Sequence, residues 1–368
     1  MSELIPERLA LITQLADLPG PSGEERQVAL AIRRILTDLG LAVQTDPLGT
    51  LSATIGGRDA EASILLLAHM DEVGLRVRSI QADGTLRFEI YGWIDPAILP
   101  GQRISLLGDR GTVDGIIGAR SAHLSQVGPG SAGPPPSWID IGATSTDEVR
   151  SMGIDIGTGA VFNAPIHALG DGHITGKALD NRVGCALLLE CAARLATARP
   201  GVTIHLGFST QEEVGAHGAR VLARRLAPTI GLIIDTVSAA DTLTTAPQAT
   251  VAVGAGPVLR VADVLPRGSG PALTSTTYSR PIRRSLEVVA REAGIPCQRD
   301  IATTWTDASG AATAADGLAI QGLYLPRRGS HTPNEVMAIH DIEAAATLVR
   351  RWLDAMDGPT VQSMRLPW

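Results

Sequence analysis

The sequence predicts an α/β protein with a mainly parallel, mixed sheet and helices on both faces, interrupted by a small inserted β-rich, barrel-like domain. Residues 63–68 (SILLLA) are a continuous apolar run of strand length, which is typical of a strand buried on both faces. From about Gly176 onward, apolar strands alternate with helical periodicity, a pattern that favours a parallel sheet covered by helices. Between residues 74 and 163, short β-like pieces alternate with turn residues, and helical periodicity is weak.

This change of pattern divides the chain into two expected domains. Residues 1–73 and 164–368 form the α/β domain, and residues 74–163 form the inserted β-rich domain. Both are feasible, because 368 residues with 44% apolar content supply enough apolar surface for two cores. The same composition excludes disorder over most of the length.

The segment before the insertion begins with helical periodicity. Ser22 and Glu25 have the spacing of a capping box, so a helix is expected to follow them and to end at Gly40. Strands are expected at 41–44 and 51–55, ahead of the buried apolar run.

After the insertion, the pattern predicts further helices and strands. The helices are expected at 181–198, 215–226, 279–293, 306–315 and 341–356. The strands are expected at 202–209, 230–235 and 318–325. Ser279 is the expected N-cap of its helix, with Pro281 in the first turn.

The charge balance excludes several kinds of partner. The chain has 31 basic and 38 acidic residues, a net charge of −7 and a pI near 5.6. Nucleic acid or an anionic membrane surface would require a basic face, so neither is expected as a partner. No G-x-x-x-x-G-K-[ST] motif is present, which removes the simplest nucleotide-binding interpretation.

Other features predict a cytoplasmic protein. The three cysteines fit no C-x-x-C pattern and are expected to be buried thiols of a reducing compartment: Cys185, Cys191 and Cys297. Glu3 and Glu7 interrupt the N-terminal apolar residues, so the N-terminus does not resemble a signal peptide. The sequence contains no run of about 18 apolar residues that could span a membrane.

Candidate metal ligands follow the predicted strands. Ligands of open α/β sheets bind at the carboxyl ends of the strands, so these positions are where a site is expected. The candidates are His69 and Asp71 after the first buried strand, Glu212 and Glu213 after strand 202–209, Asp235 at the end of strand 230–235, His331 after the last strand, and Asp180 at the start of a helix.

Two histidines and three carboxylates, with a spare carboxylate beside one of them, suit two divalent cations. Mixed nitrogen and oxygen ligands favour Zn²⁺, Co²⁺ or Mn²⁺ over Ca²⁺ or Mg²⁺. Single residues also have ordinary structural interpretations, Asp180 as a helix N-cap and the pair of Glu212 and Glu213 as solvated surface. Their concentration at the strand ends favours a metal site.

Five segments resemble, in the same order, the signature segments of the glutamyl-aminopeptidase/tetrahedral-aminopeptidase family of dinuclear metallopeptidases: AHMDEVG, GKALDNRVG, STQEEVGAHGA, IIDT and PRRGSHTPNE. The resemblance extends over most of the chain, because LPGPSGEE, GQRISLLG, WIDIGATSTDEVRSMGIDIG and TWTDASGAAT are also similar to segments of that family. It implies a dinuclear aminopeptidase-like fold and two divalent metal ions per subunit, with zinc or cobalt as the first choices.

The resemblance also implies a role for each candidate. It assigns the bridging ligand to Asp180, one metal to His69 and Asp235, the other metal to Glu213 and His331, and the general base to Glu212. Two metals about 3.5–4 Å apart lower the pKa of a shared water towards about 7, and a neighbouring carboxylate can take its proton. In this family the peptide bond after the bridging aspartate is cis, which here is the bond between Asp180 and Asn181.

The remaining candidates lie around the implied site. Asp71 would orient the imidazole of His69 by a hydrogen bond, or serve only as a turn residue at the strand end. Asp307 is either a substrate contact or the N-cap of its own helix, and His217 is a further substrate-side candidate. The family often has Arg where His217 stands and Tyr where Gly329 stands, which makes the substrate preference less predictable.

The implied function is that of an aminopeptidase that hydrolyses N-terminal residues from peptides. It would form a homo-oligomer, a dimer or a dodecamer, through a dimerisation domain at 74–163. A related dinuclear carboxypeptidase or N-deacylase is one alternative, although its extra domain usually falls between the fourth and fifth ligands rather than between His69 and Asp180. A scaffold protein that has lost its metals is another, although all five ligands and the base are present.

Further alternatives are disfavoured by the residues themselves. A serine hydrolase would need G-x-S-x-G, but Ser131 follows Pro129 at the position where the first glycine of the motif should stand. A glycosidase would rely on an isolated acid pair, whereas this chain offers a metal site. His123 and His205 are expected to be structural.

Overall fold

The computed structural model describes residues 4–119, 138–242, 250–265 and 275–366. Ser131 and His123 therefore lie outside the described residues. The helices are α1 (Leu4–Asp17), α2 (Arg26–Asp38), α3 (Thr146–Ser151), α4 (Leu179–Ala196), α5 (His217–Leu226), α6 (Arg280–Glu292), α7 (Asp307–Ala312), α8 (Ile339–Asp354) and α9 (Gly358–Ser363). The strands are β1 (Val43–Thr45), β2 (Leu51–Ile55), β3 (Asp59–His69), β4 (Gly74–Ile80), β5 (Leu86–Tyr91), β6 (Arg103–Gly108), β7 (Gly111–Ile117), β8 (Trp138–Asp140), β9 (Gly159–Phe162), β10 (His167–Ala168), β11 (His173–Gly176), β12 (Val202–Ser209), β13 (Ile230–Ser238), β14 (Val258–Asp263), β15 (Thr276–Thr277), β16 (Gln298–Ala302), β17 (Ala319–Arg327) and β18 (Glu335–Ala338).

A large mixed sheet forms the centre of the α/β part of the molecule. Its strand order is β1-β2-β12-β3-β13-β17-β14-β15, and β16 pairs with β14. The four central strands β12, β3, β13 and β17 are parallel to their neighbours in this group. The pairs of β1 with β2, β2 with β12, and β14 with β17 and β15 are antiparallel. The predicted mixed, mainly parallel sheet is therefore confirmed.

The six strands from β4 to β9 form a closed antiparallel barrel in the order β4-β5-β8-β7-β6-β9. All of them lie between β3 and α4 in the chain. The barrel has its own apolar core, formed among others by Leu75, Leu86, Ile104 and Ile139. The predicted barrel-like β insertion is thus present. A small sheet, β10-β11-β18, lies outside both of these assemblies.

The core of the α/β part forms because apolar side chains of the central strands pack against helices. Ile64 and Leu66 of β3 pack in one cluster with Val183 and Leu187 of α4. Leu65 and Leu67 point the other way and join a second cluster. Since alternate residues of a strand face opposite sides of the sheet, β3 is apolar on both faces, as its continuous apolar run predicts.

Local signals succeed at one helix and fail at another. Ser279 is the N-cap of α6, and its hydroxyl accepts a bond from the backbone N–H of Ile282, as predicted. The capping box at Ser22 and Glu25 is wrong. Glu25 itself is the N-cap of α2 and makes no side-chain capping bond. The hydroxyl of Ser22 donates to Asp71 over 2.6 Å instead, so this hydroxyl does not cap the helix.

The expectations for the cysteines, for His205 and for membrane-spanning helices can be compared with the described residues. Cys185 and Cys191 are buried free thiols, whereas Cys297 is only half-buried, because it precedes β16 at the border of the sheet. His205 Nδ1 forms a hydrogen bond of 2.9 Å with the hydroxyl oxygen of Thr54. No helix in the described part of the chain is long and apolar enough to cross a membrane.

Candidate metal centre

The central strands deliver polar side chains to one edge of the sheet. His69 ends β3 and lies in register with Ser209, which ends the neighbouring parallel strand β12. Asp235 lies on β13, between β3 and β17. Because these strands are parallel, their carboxyl ends lie together.

The predicted ligands form two groups of three that share Asp180. In the first group, His69 Nε2 lies 3.2 Å from Asp180 Oδ1 and 3.5 Å from Asp235 Oδ1. In the second group, His331 Nε2 lies 3.3 Å from Asp180 Oδ2 and 3.4 Å from Glu213 Oε1. Within each group the candidate ligand atoms lie within 4.8 Å of one another. The arrangement therefore places one carboxylate between two candidate subsites.

The chemistry of these groups fits divalent metal ions. Glu213 Oε1 is buried and makes no hydrogen bond, and its neighbour His331 Nε2 is 3.4 Å away. A buried carboxylate oxygen of this kind needs a closer proton donor or a cation. Imidazole nitrogens and carboxylate oxygens are the ligands that zinc and cobalt take in proteins. The residues present can therefore hold the two ions that the sequence implies.

The negative charge concentrated in the cluster also attracts cations, and it shows in the pKa values of its members. Burial raises the pKa of Glu212 well above its usual range, and the carboxylates of Glu213 and Asp235 raise it further. Burial raises the pKa of Asp235 to about 6. Burial alone would lower the pKa of His331, but the carboxylates of Glu213 and Asp180 outweigh it and raise the pKa to about 10. Without metal the cluster thus retains protons, which a divalent cation can displace.

Two carboxylates hold the turn that carries Glu212 and Glu213. The backbone N–H groups of Glu212 and Glu213 donate to the two oxygens of Asp71 over 3.0 and 3.1 Å. The preceding N–H, of Gln211, donates to Glu25 Oε1 over 3.0 Å. Three successive amides of the turn are therefore bound by carboxylates from two other parts of the chain, Glu25 and Asp71. We call this arrangement the amide clamp.

The two histidines are oriented chiefly by backbone carbonyls. His69 Nδ1 donates to the backbone carbonyl of Asp71 over 3.1 Å, while the Asp71 carboxylate lies slightly farther away, at 3.5 Å. His331 Nδ1 donates over 2.5 Å to the carbonyl of Trp93, which lies between β5 and β6 of the barrel segment. The sequence analysis misses Trp93, because a backbone carbonyl has no side-chain signature.

A buried arginine and glutamate lie behind the cluster, and the sequence analysis misses both. Glu335 accepts bonds from the backbone N–H groups of Asp180 and His331, each over 3.0 Å. Arg327 donates to Glu335 over 2.6 Å and also to Asp180. Both lie in the segment PRRGSHTPNE around His331, so only their proximity in sequence could have indicated them.

The start of α4 positions Asp180. The peptide bond between Asp180 and Asn181 is cis, as the family resemblance implies. The side chain of Asn181 donates to the carbonyl of Ile234 over 2.8 Å and accepts from the N–H of Gly184 over 3.1 Å. These bonds join the first turn of α4 to β13, the strand of Asp235.

The two substrate-side candidates, Asp307 and His217, do not line the cavity above the cluster. Asp307 is buried, accepts a bond from Ser209, and has a pKa that burial raises to about 7. It is not the N-cap of α7, because Thr306 has that position and its hydroxyl accepts from Ala308. His217 is exposed at the start of α5 and contacts the carbonyl of Val214.

A cavity of about 780 Å³ opens above the cluster. Its volume is in the range of small-molecule and peptide sites. Its apolar wall is formed by Trp93, Ile94, Val237, Val251, Ile301 and Trp305. Among the described residues, neither Asp307 nor His217 lines this cavity.

The comparison with known families defines the class of the protein, which is a peptidase. The chain belongs to the M42 glutamyl aminopeptidase family, whose profile matches residues 49–348. It is 29% identical over 356 residues to the lysyl aminopeptidase of Pyrococcus furiosus, which covers 94% of this chain and 96% of that protein.

Solved structures agree with this assignment. The aminopeptidase APDkam598 from the archaeon Desulfurococcus kamchatkensis has a TM-score of 0.90 and 29% identity, with 98% of each chain covered. The TET1 peptidase of Pyrococcus horikoshii has a TM-score of 0.82 and 29% identity, with 96% of this chain and 100% of that chain covered. The predicted family and fold class are confirmed, and the family supports an aminopeptidase activity.

Proposed function

We propose that this aminopeptidase depends on two divalent metal ions per subunit and uses Glu212 as its general base. The observation that carries the proposal is the pair of ligand groups that share Asp180, together with the unpartnered Oε1 of Glu213. In this proposal His69 and Asp235 hold one ion, Glu213 and His331 hold the other, and Asp180 bridges them. Zinc and cobalt are the ions that suit these ligands best.

The metal ions would supply Lewis acidity, which lowers the pKa of a shared water and stabilises the charge that develops on the substrate carbonyl oxygen. Glu212 takes the proton of the attacking water and passes it to the leaving amine. A carboxylate oxygen of Glu212 lies within 4.8 Å of candidate ligand atoms of His69 and Glu213, so the base would stand beside both proposed ions. The amide clamp fixes the backbone from which the side chains of Glu212 and Glu213 extend.

Assembly and location belong to the same proposal. We propose that the segment 74–163 is a dimerisation domain and that the chain forms a homo-oligomer, a dimer or a dodecamer. The TET1 peptidase of Pyrococcus horikoshii can assemble into a tetrahedron or a large octahedral shell. Its assembly supports the proposal that the present chain also forms an oligomer. The free thiols support a reducing, cytoplasmic location.

A panel of aminoacyl-p-nitroanilides with acidic, basic and apolar side chains tests the function. Metal-loaded wild-type protein is expected to hydrolyse at least one of them. The variant Glu212→Gln should lose activity by roughly 10²–10⁴-fold, the usual contribution of a general base. Glu61→Gln, at an exposed glutamate on β3, is the matched control and should retain full activity.

Two outcomes would contradict the proposal. Equal activity of Glu212→Gln and wild type would remove the base assignment. If no aminoacyl-nitroanilide is cleaved, release of the acyl group from an N-acylated substrate would favour the N-deacylase alternative. Release of the C-terminal residue from a peptide would instead favour the carboxypeptidase alternative.

A further inference from the structure

Arg327 is a buried cation at the metal centre. It ends β17, and only 4% of its side chain is exposed. Its Nε donates to Thr236 Oγ1 over 2.6 Å, one terminal nitrogen donates to Glu335, and the other contacts Asp180 Oδ2. A guanidinium is not deprotonated in proteins, so this positive charge is permanent.

The two oxygens of Asp180 face different subsites. Oδ1 lies beside His69, and Oδ2 lies beside His331. Arg327 contacts Oδ2, the oxygen on the side of Glu213 and His331. The first subsite therefore has Oδ1 without this contact, whereas the second subsite must share Oδ2 with a guanidinium.

This contact affects a divalent ion in the second subsite in two ways. Arg327 donates a hydrogen bond to Asp180 Oδ2, so this oxygen has less negative charge to offer a cation in the second subsite. Arg327 also repels a dication that binds nearby, since like charges a few ångström apart in a buried site interact strongly. Glu335 pairs with a different nitrogen of Arg327 over 2.6 Å, so the contact of the guanidinium with Asp180 Oδ2 remains in place beside this pair.

We propose that Arg327 makes the two metal subsites unequal. The subsite of His69, Asp180 and Asp235 fills first, and Arg327 weakens the subsite of Glu213 and His331, which fills second. This inference rests on the proposed dinuclear function and assigns to Arg327 a positioning role that acts through Asp180.

Calorimetric titration of metal-free protein with CoCl₂ tests the inference without measuring activity. Wild type is expected to bind two equivalents, the second at least about tenfold more weakly than the first. Arg327→Met keeps an unbranched apolar stem but removes the guanidinium and its charge, and should tighten the second equivalent at least about tenfold. The matched control is Arg328→Met, at the neighbouring, partly exposed arginine that pairs with Asp241, and it should bind as wild type does.

Loss of Arg327 leaves Glu335 as an unpaired buried charge, which can impair folding. The double variant Arg327→Met/Glu335→Gln removes both charges and keeps an oxygen that can accept the amide bonds. It should show the same tightening of the second equivalent. Asp235→Asn should abolish the tight equivalent, and Glu213→Gln should abolish the weak one.

The outcomes separate this inference from the proposed function. Two equivalents of equal affinity in wild type, or an unchanged or weaker second equivalent in both Arg327 variants, would overturn the role of Arg327 and leave the dinuclear centre standing. Wild type that binds no Co²⁺ would overturn the dinuclear centre itself, and the inference with it.

Discussion

Two carboxylates fix the backbone of the turn that carries Glu212, the proposed general base. Asp71 binds the amides of Glu212 and Glu213, and Glu25 binds the amide of Gln211. Gln211 has a positive φ of 57°, a conformation that a non-glycine residue rarely adopts without support. The amide clamp therefore explains how the turn can hold Glu213 as the proposed ligand and Glu212 as the proposed base.

This explanation predicts the effect of Glu25→Ala. The N–H of Gln211 would lose its acceptor, the turn would relax, and kcat should fall by about 10–100-fold with little change in KM. Glu25→Gln keeps an acceptor oxygen and should restore most of the kcat, which a purely structural loss would not explain. Glu24→Gln, at the adjacent residue that pairs with Arg76, is the control.

Steady-state kinetics on the four proteins decide the matter. A wild-type kcat in Glu25→Ala would show that the clamp does not position the base. An equal loss in Glu25→Ala and Glu25→Gln would show that hydrogen-bond acceptance is not the reason.

The residues that the sequence predicts best are those that directly follow apolar strands. His69 and Asp235 can be located this way, because strand ends in a parallel sheet meet at one edge. Arg327 and Glu335 cannot, because their role depends on side chains that the fold brings behind Asp180. The carbonyl of Trp93 leaves no trace in residue identity at all.

Among the elements, helix α4 determines where the shared carboxylate lies. A Cβ added at Gly184 would lie 2.2 Å from Asn181 Oδ1, closer than real contacts allow. Asn181 is bonded to that same glycine's N–H and follows Asp180 directly. Close packing between the helix backbone and Asn181 therefore requires glycine at position 184.

We predict that Gly184→Ala displaces Asn181 and, with it, Asp180. Metal-free Gly184→Ala should bind Co²⁺ at least about tenfold more weakly than wild type, because the added methyl group forces the side chain of Asn181 and the adjoining backbone to move. Gly56→Ala is the matched control, since a Cβ there meets nothing within 4 Å. Wild-type affinity in Gly184→Ala, measured by titration, would contradict the positioning role of α4.

The elements that sequence patterns predict are the apolar ones. The predicted strands at 51–55 and 202–209 coincide with β2 and β12. The sequence analysis misses β14 and β16, because β14 carries a buried Arg260 and β16 the Asp300 that pairs with it, so neither is a continuous apolar run. Buried ion pairs of this kind are formed by tertiary packing, which local patterns do not contain.

On the scale of the whole molecule, the barrel is more than an appendage of the α/β part. It is inserted between His69 and Asp180, the first two proposed ligands in the chain. Its Trp93 supplies both a wall of the cavity and the carbonyl that accepts from His331. The inserted segment thus orients His331 of the proposed second subsite, and the local sequence pattern of residues 74–163 does not predict this contact.

The central claim is that Asp180 is shared by two metal ions. Anomalous diffraction at the zinc edge from zinc-loaded crystals tests it most directly. We expect two peaks, one on each side of Asp180, the first bounded by His69 and Asp235 and the second by Glu213 and His331. A single peak, or two peaks that do not share Asp180, would contradict it.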